Sequence, residues 1–429
     1  MDQVRAEQCA RRLLFGTWIV LLLLVFATWR LWQPQTLFPR VPLFSIAGSW
    51  PTGMDNAACG LFVLSLALWP VIAIKPQLGR WVAAIFLVST ALLVATDQHR
   101  LQTWIVHIGL IVLLRAACGT DSIQFLRAVR IFTITIYIYS AISKFDAQFI
   151  HTVGRQFFEQ ILLFLRVSPY VISEADFPWA PLVFPLGELF AGIGLLFRRL
   201  RTIAAIAALF MHATLMLILG PLGLNHEWGV LLWNTLFIIH VYMLFLSPLA
   251  TDCSTAEDVN SVTPSEPPVK HADSPKARFS PLVLFITIFI VIFPAGERIG
   301  LVDHWLGWTL YAPHSSRVQV LIRNDMLETL PRHVWLHAVE MEKPLGWSEL
   351  RMDRWSLADV HAPIYPLQRF EFGVARALIE PLPEGTWELR LMSAADHWTG
   401  KREVQTLRHR DELPKAAAKY RFNSRPVVP

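Results

Sequence analysis

The sequence predicts an all-α polytopic membrane helix bundle of about nine spans, followed by a small α+β soluble extracytoplasmic domain. Three observations carry that prediction. Of the 429 residues, 54% are hydrophobic and 17% charged, a balance that excludes an ordinary soluble domain. Apolar runs of membrane-spanning length recur as far as residue 297, and several of the short loops between them carry arginine or lysine. Beyond residue 300 those runs give way to strand-like alternation.

Taken in order, "MDQVRAEQCARRLL" leads into an apolar run with no small-residue cleavage site, which reads as a retained first span. Candidate spans occupy 13–32, 57–74, 81–97, 104–118, 128–146, 181–197, 202–220, 230–248 and 281–297. Arg5, Arg11 and Arg12 precede the first, and Lys75 and Arg80 join the second and third. Arg115, Arg127 and Arg130 join the fourth and fifth, and Arg198, Arg199 and Arg201 the sixth and seventh. All four sets share one side if the N-terminus is cytoplasmic. The expected location is therefore a bacterial-type inner membrane, with the C-terminal domain extracytoplasmic. Eight spans fill residues 1–248, and a Ser-, Pro- and charge-rich stretch over 249–280 reads as a flexible cytoplasmic linker. The ninth span lies in 281–299, and 300–429 form the outer domain.

In that domain, "RVQVLI", "VWLHAVEM" and "TWELRLM" alternate as strands, with Val318, Val320, Ile322, Trp387, Leu389 and Leu391 on one face. Phe370, Val374 and Leu378 in "PLQRFEFGVARALIE" mark a helical face. The basic tail (Arg402, Arg408, Arg410, Lys415, Lys419, Arg421) reads as a solvated end, or as a contact for anionic lipid or an envelope partner. Net charge is +5 without interleaved basic and aromatic residues, so nucleic acid is not an expected partner. Cys9, Cys59, Cys118 and Cys253 show no CxxC and no metal-type spacing, so no metal ligands are expected.

Charged residues at membrane depth carry the functional reading. Glu188 precedes Arg198 by ten residues and His212 follows Arg201 by eleven, which puts both roughly 15 Å inside an antiparallel hairpin. Lys144 lies fourteen residues beyond Arg130, about 21 Å in, and shares a polar stripe with Tyr137 and Ser140 at i, i+3, i+7. An intramembrane carboxylate faces the bundle interior and needs a partner. A desolvated lysine can serve as a base, and a Glu–His pair can relay its proton. If Glu188 sat tightly against Lys144, the pair would instead be structural. Asp97, His99 and Arg100 in "TDQHRLQTW", Asn225 and His226 in "GLNHEW", and Asn234 are the remaining candidates for lining an outward-facing cavity. His107 and His240 read as satisfied core histidines.

"SAISKFDAQF" resembles the lysine-containing stretch of the vitamin K-dependent gamma-carboxylases, with Ser143 in place of a first lysine and Phe149 in place of a tryptophan. "TDQHRLQTW" resembles the outer-loop pattern of the wider HTTM-domain group. "GELFAGIGLLFRRLR" and the later "MH" resemble DoxX-like membrane proteins. The resemblance covers residues 80–250. It implies that Lys144 stands where the carboxylase has its catalytic base, with access for a quinone-type cofactor, but it does not carry over glutamate carboxylation. Three readings stay open. One is quinone- or lipid-linked chemistry, with Lys144 as base and Glu188 and His212 as relay. Another is a non-catalytic scaffold or redox accessory protein presenting residues 300–429. The last is a proton-coupled transporter.

Overall fold

The computed structural model describes residues 3–34, 37–167, 177–251 and 279–427, so nearly all of the expected 249–280 linker lies outside the described residues. The chain is mostly helical. In chain order its larger N-terminal helices are α1 (Gln3–Ala27), α2 (Thr52–Leu68), α3 (Pro76–Thr96), α4 (Thr103–Cys118) and α5 (Ser122–Ser143). They continue with α6 (Val153–Phe164), α7 (Val183–Leu196), α8 (Arg201–Leu219), α9 (Trp228–Val241) and α10 (Pro281–Ile292).

Among the described residues, six helical stretches are long and apolar enough to cross a membrane, namely those built on α1, α3, α5, α8, α9 and α10. The helices α2, α4 and the stretch holding α7 are apolar but shorter. Nine spans of full length are not found among the described residues, and local chemistry accounts for the short ones. Pro70 breaks the 57–74 run, because proline lacks the N–H that the helical ladder needs. Gly119, at a φ of +57°, ends α4. Phe197 turns extended after α7, just before Arg198 and Arg199.

The C-terminal region is α+β. Five strands, β1 (Arg317–Arg323), β2 (Ala338–Glu340), β3 (Trp347–Leu350), β4 (Trp387–Met392) and β5 (Val404–Leu407), pair antiparallel in the order β2-β3-β1-β4-β5. Val320 lies opposite Leu350 on one side and Leu389 on the other, so the alternating apolar residues stack into one buried face. Helix α12 (Gln368–Ile379) packs against β1 and β4 and buries Phe370, Val374 and Leu378 as its periodicity predicts, while α11 (Met352–Val360) lies against the Trp29–Trp32 turn. The "VWLHAVEM" expectation needs correcting: Val334 and Trp335 close a helical turn, and only Ala338–Glu340 pair as strand.

One apolar core runs without a break from α1 through the bundle to Trp308, Val320 and Phe370. Trp308, only 1% exposed, packs its ring on His107 of α4 and Phe132 of α5. The basic tail is not simply solvated either. Arg402 donates to the carbonyls of Pro313, Ser315 and Ser393, and Arg410 to those of Ile379, Glu380 and Leu382.

Candidate functional site

The fifth span ends earlier than its apolar run implied. Ser143 is the last residue of α5 and Lys144 is its C-cap, so the lysine stands at a helix end rather than inside one. It folds back along its own helix and is only 7% exposed. Its ammonium donates to Ser140 Oγ at 2.6 Å, Ser140 O at 3.0 Å and Glu188 Oε2 at 2.7 Å. An ammonium has three protons, and each has an acceptor here.

Glu188 reaches that position because α7 packs closely on α5. One turn after it comes Gly192, where a Cβ would lie 3.1 Å from Tyr137 Cβ and 3.3 Å from Ile138 N. Contacts that close are tighter than a Cβ normally keeps, so a side chain there would need its neighbours to give by a few tenths of an ångström, and glycine lets α7 pack closely on α5 beside the lysine. The second carboxylate oxygen, Oε1, makes no hydrogen bond among the described residues. It is the open end of the pair.

A second polar chain runs across the bundle from Tyr137 on α5 to His212 on α8 and Asn234 on α9. Asn234 Nδ2 donates to Val230 O at 2.9 Å, so its Oδ1 accepts from His212 Nδ1 at 2.8 Å. That assigns the His212 proton to Nδ1 and leaves Nε2 to accept from the Tyr137 hydroxyl at 2.7 Å. Both imidazole nitrogens are occupied, and the phenol oxygen keeps its lone pairs. Phe237 stacks on the imidazole, with ring centroids 5.0 Å apart.

These two polar groups share one cavity. Its polar wall is Tyr137, Ser140, Lys144, Glu188, His212 and Asn234. Phe149, Phe157, Phe184, Trp233 and Phe237 supply aromatic walls, and Leu310 and Tyr311 enter from the segment beyond α10. About 70 Å³ is open to the centres of water-sized molecules, enough for several waters in a narrow slot. A mostly apolar lining with a few convergent polar groups is the usual composition of a small-molecule site.

The other predicted lining residues lie elsewhere. Arg100 is fully buried and holds Asp55 with two N–H groups, at 2.7 and 3.3 Å. Its remaining donors serve Leu31 O, Gln33 O, Leu93 O and Thr96 Oγ1. Asp97 accepts from His99 N, a turn cap. His99 Nε2 meets Pro363 O and Ser356 Oγ, both at 3.1 Å, and burial pushes its pKa down to about 4, which keeps it neutral. The loop is thus a seam between bundle and C-terminal region, as Gln98 confirms by holding Pro42 O, Asn423 O and the Arg369 guanidinium. Asn225, at a φ of +51°, is exposed in the turn after α8. His226 touches the cavity only through Tyr311, whose hydroxyl lies 3.5 Å from Nδ1. His107 accepts from the Trp233 indole and His240 bonds Thr17, both inside the core.

Sequence reasoning missed the roof. Leu310 and Tyr311 fall where an independent outer domain was expected, and the only signal was the apolar cluster in "GWTLYA" between polar flanks. No protein-family model matches this chain, and no curated protein or solved structure matches it.

Proposed function

We propose that the protein is an integral membrane protein that binds a flat, lipid-soluble molecule of the quinone/quinol class in this cavity, with Glu188 as the group that accepts a hydrogen bond from its hydroxyl. The open oxygen of Glu188 carries the reading. A quinol hydroxyl donating to Oε1 would meet a carboxylate already oriented by Lys144, while the Tyr137 oxygen would serve the second hydroxyl. Lys144, with its three protons spoken for, acts as a clamp that orients Glu188, and the role of acceptor moves from Lys144 to Glu188. His212 fixes the Tyr137 hydroxyl instead of relaying a proton. The aromatic walls suit a planar ring, and the resemblance of "SAISKFDAQF" to quinone-using carboxylases agrees with the ligand class.

In this reading the three short apolar helices also cross the bilayer, by local thinning or tilt, which restores nine spans. The arginine-bearing loops then face the cytoplasm, and the cavity lies at the opposite, extracytoplasmic end with residues 300–429. The test is binding of a short-chain quinol and its oxidised quinone to the protein in lipid nanodiscs, wild type against Glu188→Gln. The expected result is saturable binding of both, with the variant losing quinol affinity at least tenfold and quinone affinity less. Absence of saturable binding to the wild type would reject the proposal.

A second reading is favoured by the 2.7 Å Lys144–Glu188 contact itself. In a scaffold, the pair would only lock α5 to α7 and support the C-terminal region as a docking surface for an envelope protein. Failure of the wild type to bind either probe, with Glu188→Gln lowering thermal stability alone, is the result that reading requires.

A further inference from the structure

A second cluster of titratable groups lies where α5, α10 and the C-terminal region meet. Glu297 follows α10, His304 and His314 flank the cavity's roof, His397 comes from the loop after β4, and Asp146 stands two residues past Lys144. Asp146, His304 and His314 are at most 5% exposed. Five contacts tie the cluster to oxygen atoms. His304 Nε2 meets Ala312 O at 2.9 Å and its Nδ1 meets Glu297 Oε1 at 3.1 Å. His314 Nε2 meets the same Glu297 oxygen at 3.3 Å, and its Nδ1 faces Asp146 Oδ2 at 3.6 Å. His397 Nδ1 meets Asp146 Oδ2 at 2.8 Å.

Proton counting exposes the problem. All the facing atoms are carbonyl or carboxylate oxygens, which only accept. Three neutral imidazoles bring three N–H groups to five contacts. With His304 donating to Ala312, its Nδ1 lone pair points at a carboxylate. With His314 donating to Glu297, its Nδ1 points at Asp146, and that buried nitrogen has no hydrogen-bond partner. The four contacts within hydrogen-bond reach need one proton more than three neutral rings carry, and the 3.6 Å approach would take a second, at a site that holds two carboxylates.

We propose that Glu297 Oε1, His304 Nδ1 and His314 Nε2 bind one divalent transition-metal ion of the zinc class. The ion resolves every defect without charging a ring. His304 keeps its Nε2–H on Ala312 O, and the His314 proton shifts to Nδ1, where it faces Asp146 Oδ2 at 3.6 Å. Metal-bound histidines commonly send their other N–H to a carbonyl or carboxylate in this way. The spacing fits as well. Ligands about 2.0–2.1 Å from a tetrahedral ion stand about 3.3 Å apart, against 3.1 and 3.3 Å here. Three protein ligands of mixed imidazole and carboxylate type leave a fourth coordination position for water, and imidazole selects Zn, Fe, Ni or Cu over Mg and Ca. None of this was visible as a motif, since the ligands come from distant stretches and the expectation of no metal rested on cysteine spacing.

The site also bears on the cavity. Trp308 and Tyr311, between the two histidines, hold left-handed backbone at φ values of +62° and +57°, which a non-glycine residue adopts only under constraint. An ion on His304 and His314 would pin both ends of that segment and so hold Tyr311 in the cavity wall.

The test uses the full-length protein in detergent, stripped with a chelator and titrated with Zn²⁺ by calorimetry and with Co²⁺ by visible absorption. One equivalent of each should bind, Co²⁺ giving the bands of a four-coordinate N/O site and Zn²⁺ raising the thermal midpoint. Glu297→Gln and His304→Gln should abolish the Co²⁺ bands, and His397→Ala should weaken binding roughly tenfold through Asp146. Should the variants fail to fold, the wild-type titration decides alone. No stoichiometric uptake by the wild type would overturn the proposal and leave imidazolium formation to supply the missing protons, as would undiminished binding by folded Glu297→Gln/His304→Gln protein.

Discussion

Two buried ion pairs at the same end of the bundle behave in opposite ways. Asp55 receives Arg100, Arg40 and Thr96, and every donor of Arg100 has an acceptor, so neither partner offers anything to a ligand. Among the described residues Glu188 receives only Lys144, on Oε2, and it lines a cavity. Both clusters looked like cavity-lining charge in the sequence. The difference teaches that burial marks a charge as important, whereas an unsatisfied lone pair beside open space marks it as available. By that measure the first cluster is architecture and the second is a site.

The sharpest way to break the comparison is to remove each cation. Arg100→Ala takes from Asp55 its fully buried cation, leaving it only Arg40 and Thr96, and removes the guanidinium from Leu31 O and Gln33 O; it should cost about 3–5 kcal/mol, read as loss of folded protein in detergent unfolding curves. Lys144→Met should cost less than that in the same assay, because Glu188 borders the cavity and water can reach it. Equal losses would erase the distinction drawn here.

On the ligand side, Glu188→Gln removes a charge-assisted hydrogen bond, and the quinol should lose about 1.5–3 kcal/mol of binding free energy. The conservative Arg100→Lys variant, if it folds, should leave quinol affinity within threefold, since Arg100 lies outside the cavity.

A pH-dependent effect is expected at Glu371 in α12, which lies by a separate polar cavity of the C-terminal region. Burial, against the Val318 N–H, Arg317 and Arg402 that lower it, raises its pKa to about 8, with Asp353 adding to the rise. The folded state therefore holds a proton that the unfolded chain releases near 4.5. Stability should fall as pH rises from about 4.5 to about 8, by up to ~1.4 kcal/mol per pH unit. Glu371→Gln should flatten that slope in melting curves taken across the window. The smallest change is Tyr137→Phe, which strips the partner from His212 Nε2 and should cost about 1 kcal/mol in stability with a severalfold weaker quinol titration.

Much of the framework was legible because its physics is local. Apolar runs, arginines at their ends and the alternation around Val320 and Leu389 each reflect a short-range rule. The polar stripe of Tyr137, Ser140 and Lys144 was readable for the same reason, and depth counting put Glu188 and His212 in range of it. What stayed hidden depends on satisfaction and long-range closure. Nothing in the spacing says that Lys144 caps α5, that His212 is bonded at both nitrogens, or that Asp97, His99 and Arg100 stitch a seam. The return of Leu310 and Tyr311 into the bundle, and the meeting of Asp146 with His314 and His397, require tertiary packing across hundreds of residues.

The central claim is that Glu188, and not Lys144, is the cavity's open hydrogen-bond acceptor. Infrared difference spectroscopy of the nanodisc-embedded protein, with and without a short-chain quinol, tests it most directly. The carboxylate stretching bands should shift when quinol is added to the wild type, and that shift should be missing in Glu188→Gln. No such shift in quinol-saturated wild type, or one that survives Glu188→Gln, would contradict the account.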